Sequence, residues 1–241
     1  MRHAAWRGAA VVLLATAGGP TVLFRGTSSD RRRNIEVVGD GAEARVVVDG
    51  IPGGAHPTIA INTLAFSDDG RHHAYAAHHD DGWVVVHDGV AGATWDGVAG
   101  LSFAPGGGAF AYAAERHGRW HVVVNGVPGP AFDAILDASL TTDPTGRRLA
   151  YVARRGRHVH AIIDGRDGPP YDAIGELRFD PQGERVAYLA REGAAAFLLI
   201  DGRRSAAEQA IADYTLGPTG RVARLVRSGD GWRAIIAEMA G

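Results

Sequence analysis

A five-residue turn signature recurs along the chain at an almost constant interval and limits the possible folds more than any other feature. Each copy ends in glycine, at Gly70, Gly107, Gly146, Gly183 and Gly220, so the successive steps are 37, 39, 37 and 37 residues. The copy at 179–183 reads Phe-Asp-Pro-Gln-Gly. A fixed period of this length indicates a chain built from similar supersecondary units.

A second signature, an apolar run followed by Asp-Gly or Asn-Gly, lies between successive turns. Its glycines are Gly50, Gly89, Gly126, Gly165 and Gly202, with steps of 39, 37, 39 and 37 residues. Asp-Gly and Asn-Gly favour the tight primed turn of a β-hairpin, and Pro-x-Gly favours a turn between strands. Each unit is therefore predicted to contain four short antiparallel strands and little helix.

Sheets that are apolar on both faces must stack on their neighbours, and radial stacking gives a β-propeller. A β-sandwich would not explain the period, and an open solenoid would need distinct capping repeats. One period before 66–70, residues 27–30 look like a decayed copy of the turn. Six units of about 38 residues nearly fill the chain. We predict an all-β fold, a six-bladed β-propeller with four antiparallel strands per blade, as a single domain at 21–241.

The two ends of the chain leave two interpretations open. The last unit stops after its third strand, at 232–237, so its outer edge would lack a partner. Residues 10–14 (Ala-Val-Val-Leu-Leu) are one candidate for the missing strand. Alternatively, residues 1–17 form a signal peptide, because basic residues precede a short apolar run that ends in a small-x-small site at 15–17.

Composition excludes several classes of function. The net charge of −2 provides no basic field for nucleic acid or acidic lipid. The chain has no cysteine, which excludes disulfides, thiol catalysis and zinc–thiolate sites. The apolar run near the amino terminus is shorter than the roughly 20 residues of a membrane span. We therefore expect no nucleic-acid partner and no membrane span.

The consensus of the unit resembles a known repeat. It reads Leu-x-Phe-Asp-Pro-x-Gly-x-x-x-Ala-Tyr-x-Ala, then Asp-Gly and Tyr-Asp-x-Ile, and is carried by 101–114, 140–153 and 177–190, with 164–165 and 171–174. It is similar to the TolB-type, WD-repeat-like propeller repeats of bacteria over most of 60–226. The resemblance implies a periplasmic or surface interaction scaffold, or a propeller appended to a hydrolase.

The densest polar cluster is a histidine-rich segment at 72–79, followed by two aspartates. Histidines six residues apart on one strand share a face but lie about 20 Å apart, which is too far to bind one ion. His73 also stands where other units have an apolar residue. We interpret the segment as an exposed hairpin tip and predict no metal and no cofactor. The recurrent aspartates of the Asp-Gly signature are interpreted as turn residues.

Residues that depart from the repeat are more informative. Alignment of the units places Thr63, Gly100, Ser139, Glu176 and Asp213 at the start of the first strand. In a propeller this strand is innermost, so these residues would form a small, partly acidic ring around the central channel. With Arg178 nearby, we predict a ligand site at the channel mouth, formed by Thr63, Ser139, Glu176, Arg178 and Asp213.

These observations favour a non-catalytic binding or interaction module, exported to the periplasm or cell exterior. A cytoplasmic location is the alternative. The expected partner is a protein or a small ligand at the propeller face. The enzyme alternative is a propeller hydrolase or lyase with Glu176 and Asp213 as acid and base. No Gly-x-Ser-x-Gly elbow or phosphate-binding loop points to a specific reaction.

Overall fold

The computed structural model describes residues 21–136, 139–217, 221–229 and 231–238. Within these residues, 24 strands form six consecutive antiparallel sheets, and the one helical element is a short 3₁₀ turn at Pro105–Gly107. Asp-Gly and Pro-x-Gly turns connect the strands because they accept the positive φ angles that tight reversals need.

The chain divides into two compact units, Met1–His117 and Gly118–Gly241, with the division in a hairpin of the third sheet. The first unit contains the first two sheets and the first half of the third. Its strands are β1 (Thr21–Thr27), β2 (Asn34–Gly39), β3 (Ala44–Val48), β4 (Ile51–His56), β5 (Thr58–Phe66), β6 (His73–His79), β7 (Gly82–His87), β8 (Val90–Trp95), β9 (Gly97–Phe103) and β10 (Phe110–Arg116).

The second unit contains the rest of the third sheet and the last three sheets. Its strands are β11 (Arg119–Val124), β12 (Val127–Pro128), β13 (Ala134–Ile135), β14 (Thr141–Thr142), β15 (Leu149–Arg155), β16 (His158–Ile163), β17 (Arg166–Asp167), β18 (Ala173–Phe179), β19 (Val186–Glu192), β20 (Ala195–Ile200), β21 (Arg203–Arg204), β22 (Ala210–Leu216), β23 (Arg221–Ser228) and β24 (Gly231–Glu238). In the fourth sheet the first strand is interrupted, and its halves β13 and β14 both pair with β15.

The predicted all-β fold of six propeller blades is confirmed, and the sixth sheet is the exception to four strands. Its described strands are three, in the order β22-β23-β24. The candidate closing strand at 10–14 and the candidate signal peptide at 1–17 lie outside the described residues. In the described part of the chain, no helix has the length and hydropathy to cross a membrane.

The core lies mainly on the second and third strands of each sheet. The second strands of four sheets carry the Ala-Tyr-x-Ala pattern, and their tyrosines are almost fully buried: Tyr75, Tyr112, Tyr151 and Tyr188. Three of the hydroxyls, those of Tyr75, Tyr112 and Tyr188, lie near a glycine on or just after the fourth strand of the preceding sheet. A methyl group at Gly53 would lie 3.6 Å from the Tyr75 hydroxyl, and one at Gly168 would lie 3.5 Å from the Tyr188 hydroxyl. The small residue therefore leaves room for the tyrosine.

The turn aspartates hold the hairpins of the third and fourth strands. Four of them have φ of 49° or 50°: Asp49, Asp88, Asp164 and Asp201. Each carboxylate accepts a hydrogen bond from the backbone N–H of the first residue of the second strand, at 2.7 to 3.1 Å. Their interpretation as turn residues agrees with this geometry.

An arginine just before the second strand extends this arrangement to the next sheet. Arg148 donates to the Asp164 carboxylate at 2.9 Å and to the Gly183 carbonyl at 3.3 Å. Arg33 does the same with Asp49 and with the Gly70 carbonyl. We call this the arginine clamp, because it joins one hairpin to the turn of the following sheet. In the second sheet, His72 occupies the clamp position.

Candidate functional site

Two of the five predicted site residues, Thr63 and Ser139, have a structural role, because their hydroxyl groups bond to backbone groups of their own sheets. The Thr63 hydroxyl donates to the Ala60 carbonyl at 2.6 Å and accepts from the Ala76 N–H at 2.8 Å. The strand register shifts here, between Ala60 and Ala65. Such a β-bulge leaves backbone groups of the partner strand without a ladder partner. The hydroxyl supplies that partner.

Ser139 does the same in the fourth sheet, where the first strand is interrupted. Its hydroxyl donates to the Leu136 carbonyl at 2.7 Å and accepts from the Val152 N–H at 3.1 Å. Thr63 and Ser139 are thus equivalent positions with an equivalent structural role.

The structure brings the other three predicted residues together. One amino group of Arg178 donates to the Glu176 carboxylate at 2.6 Å, and the other approaches the Asp213 carboxylate at 3.3 Å. This charged cluster lies between the first strands of the fifth and sixth sheets. It is open to solvent, with 38% of the Glu176 side chain and 63% of the Asp213 side chain exposed. Two carboxylates and one guanidinium leave it with a net charge of −1.

The backbone at Glu176 is unusual. Its φ is 53°, in the left-handed region, whereas the equivalent position of the third sheet has glycine with a φ of 63°. A glutamate in this conformation costs free energy, and such positions cluster at functional sites.

Tyr214 supports this strained position and was missed from the sequence. Its hydroxyl donates to the carbonyls of Glu176 and, at 2.7 Å, of Ala187. Burial raises the pKa of Tyr214 far above its usual range, so the phenol stays protonated. The sequence does distinguish Tyr214, because the other aligned repeats have leucine at this position: Leu64, Leu101, Leu140 and Leu177.

The histidine-rich segment at 72–79 divides into separate environments at the two ends of β6. At the far end, His78 packs edge-on against Trp83, with ring centroids 4.9 Å apart. The His79 ring nitrogen lies 3.0 Å from that of His56, whose other nitrogen lies 3.2 Å from the Tyr75 hydroxyl. Burial, and then the nearby His79, lowers the pKa of His56.

At the near end of β6, His72 meets the turn of the next hairpin. Its Nδ1 lies 2.6 Å from Asp88 Oδ2, and His87 Nε2 lies 3.5 Å from the same oxygen. Asp88 also borders a cavity of about 270 Å³ in the first unit, whose lining includes Arg33, His73 and Tyr75. Burial lowers the pKa of His73 against the opposing effect of Asp88.

The class of protein defined by this architecture is the β-propeller, built here from six antiparallel sheets. No protein-family model matches the chain, and no curated protein matches it. Solved structures similar to it do exist.

TolB from Acinetobacter baumannii is 19% identical, with a TM-score of 0.41, and the match covers 76% of this chain and 53% of that chain. The chain thus spans about half the length of that TolB. The β-propeller domain of the Trilobed protease from Pyrococcus furiosus is 8% identical, with a TM-score of 0.46, covering 92% of this chain and 82% of that one. An acylaminoacyl peptidase from Pyrococcus horikoshii is 11% identical, with a TM-score of 0.41, and the match covers 92% of this chain and 46% of that chain. The likeness to TolB-type propellers is one of fold.

Proposed function

We propose that the chain is an exported, non-catalytic binding module that contacts a ligand or protein partner through the cluster of Glu176, Arg178 and Asp213. The observation that carries the proposal is the pairing of both carboxylates with one guanidinium at a solvent-open position that departs from the repeat. A role in folding alone would not require charge at this position, because the equivalent residues of other units are Thr63, Gly100 and Ser139.

The chemistry of the cluster favours a cationic group in the ligand. Arg178 donates to both carboxylates and to the Tyr214 carbonyl at 3.0 Å, so its charge is already paired within the protein. Asp213 is the most exposed of the three side chains. The excess negative charge is therefore presented at Asp213, where an ammonium or guanidinium group of a small molecule or protein would bind.

The same geometry argues against an acid and base pair. General acid–base catalysis by two carboxylates needs environments that separate their pKa values. Glu176 and Asp213 instead share one cation, and both side chains are open to solvent. A propeller hydrolase or lyase remains the alternative function that the experiment must distinguish.

A thermal-shift screen tests this proposal. The purified chain is tested against amines, guanidines and basic dipeptides, with neutral and anionic analogues alongside. We expect stabilisation by the cationic compounds, lost in Asp213→Asn and kept in Asp68→Asn, an exposed carboxylate on a turn of the second sheet. Stabilisation that is equal in both variants would contradict the proposed site. Turnover of an ester, amide or glycoside that Glu176→Gln and Asp213→Asn both abolish would establish the enzyme alternative.

A further inference from the structure

His72, His87 and Asp88 of the second sheet form a compact group of potential metal ligands. One donor atom from each residue lies within 4.8 Å of the other two. His72 precedes β6, His87 ends β7, and Asp88 begins the turn into β8. The antiparallel register pairs His87 with Ala74, which brings the end of one strand beside the start of the other. The group is therefore fixed by a single hairpin.

We propose that this group is a binding site for a divalent first-row transition ion, with Zn²⁺ as the reference ion. Two imidazole nitrogens and one carboxylate oxygen suit Zn²⁺ and its neighbours, whereas Mg²⁺ and Ca²⁺ prefer all-oxygen sites. Three protein ligands leave a coordination position for water or a group of a partner molecule.

The distances fit such an ion with small movements. Metal–ligand bonds of about 2.0 to 2.2 Å in a tetrahedron place the ligand atoms about 3.3 to 3.6 Å apart. His87 Nε2 and Asp88 Oδ2 are already 3.5 Å apart. His72 Nδ1 lies 2.6 Å from that oxygen, as a hydrogen bond. Ion binding would replace this bond, with the proton moving to Nε2 of the same ring.

Both histidines depart from the repeat in a direction that folding does not require. The position of His72 is arginine in three other sheets, at Arg33, Arg148 and Arg185. The position of His87 is apolar in the other sheets that carry the hairpin signature: Val48, Val124, Ile163 and Ile200. Two adjacent departures in one sheet, both to a metal-binding residue type and both beside the turn aspartate, indicate a local chemical role.

The His87 side chain also carries an unsatisfied polar atom. Its Nε2 is shielded from solvent and has no hydrogen-bond partner among the described residues. A buried nitrogen without a partner is unfavourable and calls for an explanation. A metal ion coordinated by this nitrogen provides one, since the lone pair would then be used.

Aromatic rings of the third sheet support the two imidazoles. The His87 ring lies 5.0 Å from the Phe110 ring and 5.5 Å from the Phe103 ring, measured between centroids. The His72 ring stacks on Phe103 at 6.4 Å. The three ligand side chains stay between 37% and 39% exposed. This surrounding restricts the ring orientations while the three side chains keep part of their surface exposed.

Calorimetric titration tests the proposal. The full chain, made without a histidine tag and stripped with chelator, is titrated with Zn²⁺. We expect one ion per chain, with affinity reduced at least tenfold in His87→Val and in His72→Arg. These variants restore residues that other sheets carry at the same positions, so the hairpin should still fold. His117→Asn and His79→Asn serve as controls: His117 is an exposed histidine 4.0 Å from Asp96, and His79 belongs to the other close histidine pair.

A second measurement does not depend on the variants. Imidazole nitrogen NMR of the unsubstituted chain should show the His72 and His87 resonances shifting together on Zn²⁺ addition, with His117 unchanged. The proposal is overturned if no saturable binding occurs below about 1 mM. It is also overturned if the site variants bind as tightly as the controls, or if other histidines respond instead.

Discussion

At Thr63, a hydroxyl group takes the place of a missing backbone partner. Replacement by valine keeps the shape of the side chain but leaves the N–H of the buried Ala76 without an acceptor. We expect Thr63→Val to lower the free energy of unfolding by about 1 to 3 kcal/mol. Denaturant unfolding measures this. Thr94→Val is the matched control, because the Thr94 hydroxyl makes only a 3.4 Å contact with Asp81 at the surface. Equal effects of the two substitutions would contradict the assigned role.

His56 gives the chain a pH-dependent stability. Burial and the neighbouring His79 lower its pKa in the folded state, while Glu43 acts in the opposite sense. The unfolded chain, with an ordinary histidine pKa of about 6.5, then binds more protons than the folded chain. Stability from this group is complete above about pH 6.5 and is lost as the pH falls below it.

We expect the free energy of unfolding to decrease as the pH is lowered from about 7 to 5. In His56→Gln this decrease should be smaller. Carboxylates with lowered pKa values, such as Asp49 and Asp69, also lose stability in acid, but at lower pH because their unfolded pKa is 3.8. Urea melts across the pH range separate the two windows. An unchanged slope in His56→Gln between pH 7 and 5 would show that His56 is not responsible.

At the scale of elements, the residue after the fourth strand lies so close to the third strand that a side chain on it would be crowded. A methyl group at Gly168 would lie 3.0 Å from the Ala161 carbonyl oxygen, in addition to its contact with Tyr188. We expect Gly168→Ala to destabilise the chain by about 1 to 3 kcal/mol. Gly175→Ala is the control, because its added methyl group meets no atom within 4 Å. Thermal unfolding of both variants provides the comparison, and a neutral Gly168→Ala would refute the close packing.

The six sheets were predictable because their turns depend on residue types that are visible in a sequence. Asp-Gly at 88–89 and 164–165 has the positive φ angles that a primed turn needs, and few other pairs adopt them readily. The roles of Thr63 and Ser139 were not predictable in the same way. A hydroxyl at the start of a first strand binds a ligand or fills a bulge according to the strand register, which the period alone does not specify.

The proximity of His72 to His87 was also not predicted from the sequence. Histidines six residues apart, such as His72 and His78, lie at the two ends of β6. The relevant neighbour is on β7, and strand pairing brings it close. The residue before the turn aspartate distinguishes His87 in the sequence, since the other aligned repeats have valine or isoleucine there.

At the scale of the whole molecule, two predictions for the amino-terminal residues exclude each other. Removal of residues 1–17 as a signal peptide would eliminate the segment 10–14 that is the candidate partner for β24. We expect the chain isolated from a bacterial periplasm to begin at Gly18, as determined by intact mass. Retention of Met1, together with a lower melting temperature in Val12→Pro but not in His3→Pro, would instead support the closing strand.

The second sheet has no arginine at the position of the arginine clamp, where His72 stands instead. Because the sheets share one repeat, the residues at equivalent positions of the other sheets serve as a comparison for each sheet. At His72 the second sheet has an imidazole where Arg33 and Arg148 make a cross-sheet hydrogen bond, and this imidazole meets the third sheet through ring stacking on Phe103. The second sheet is therefore joined to the third by an aromatic contact at a position where the first and fourth sheets use a hydrogen bond.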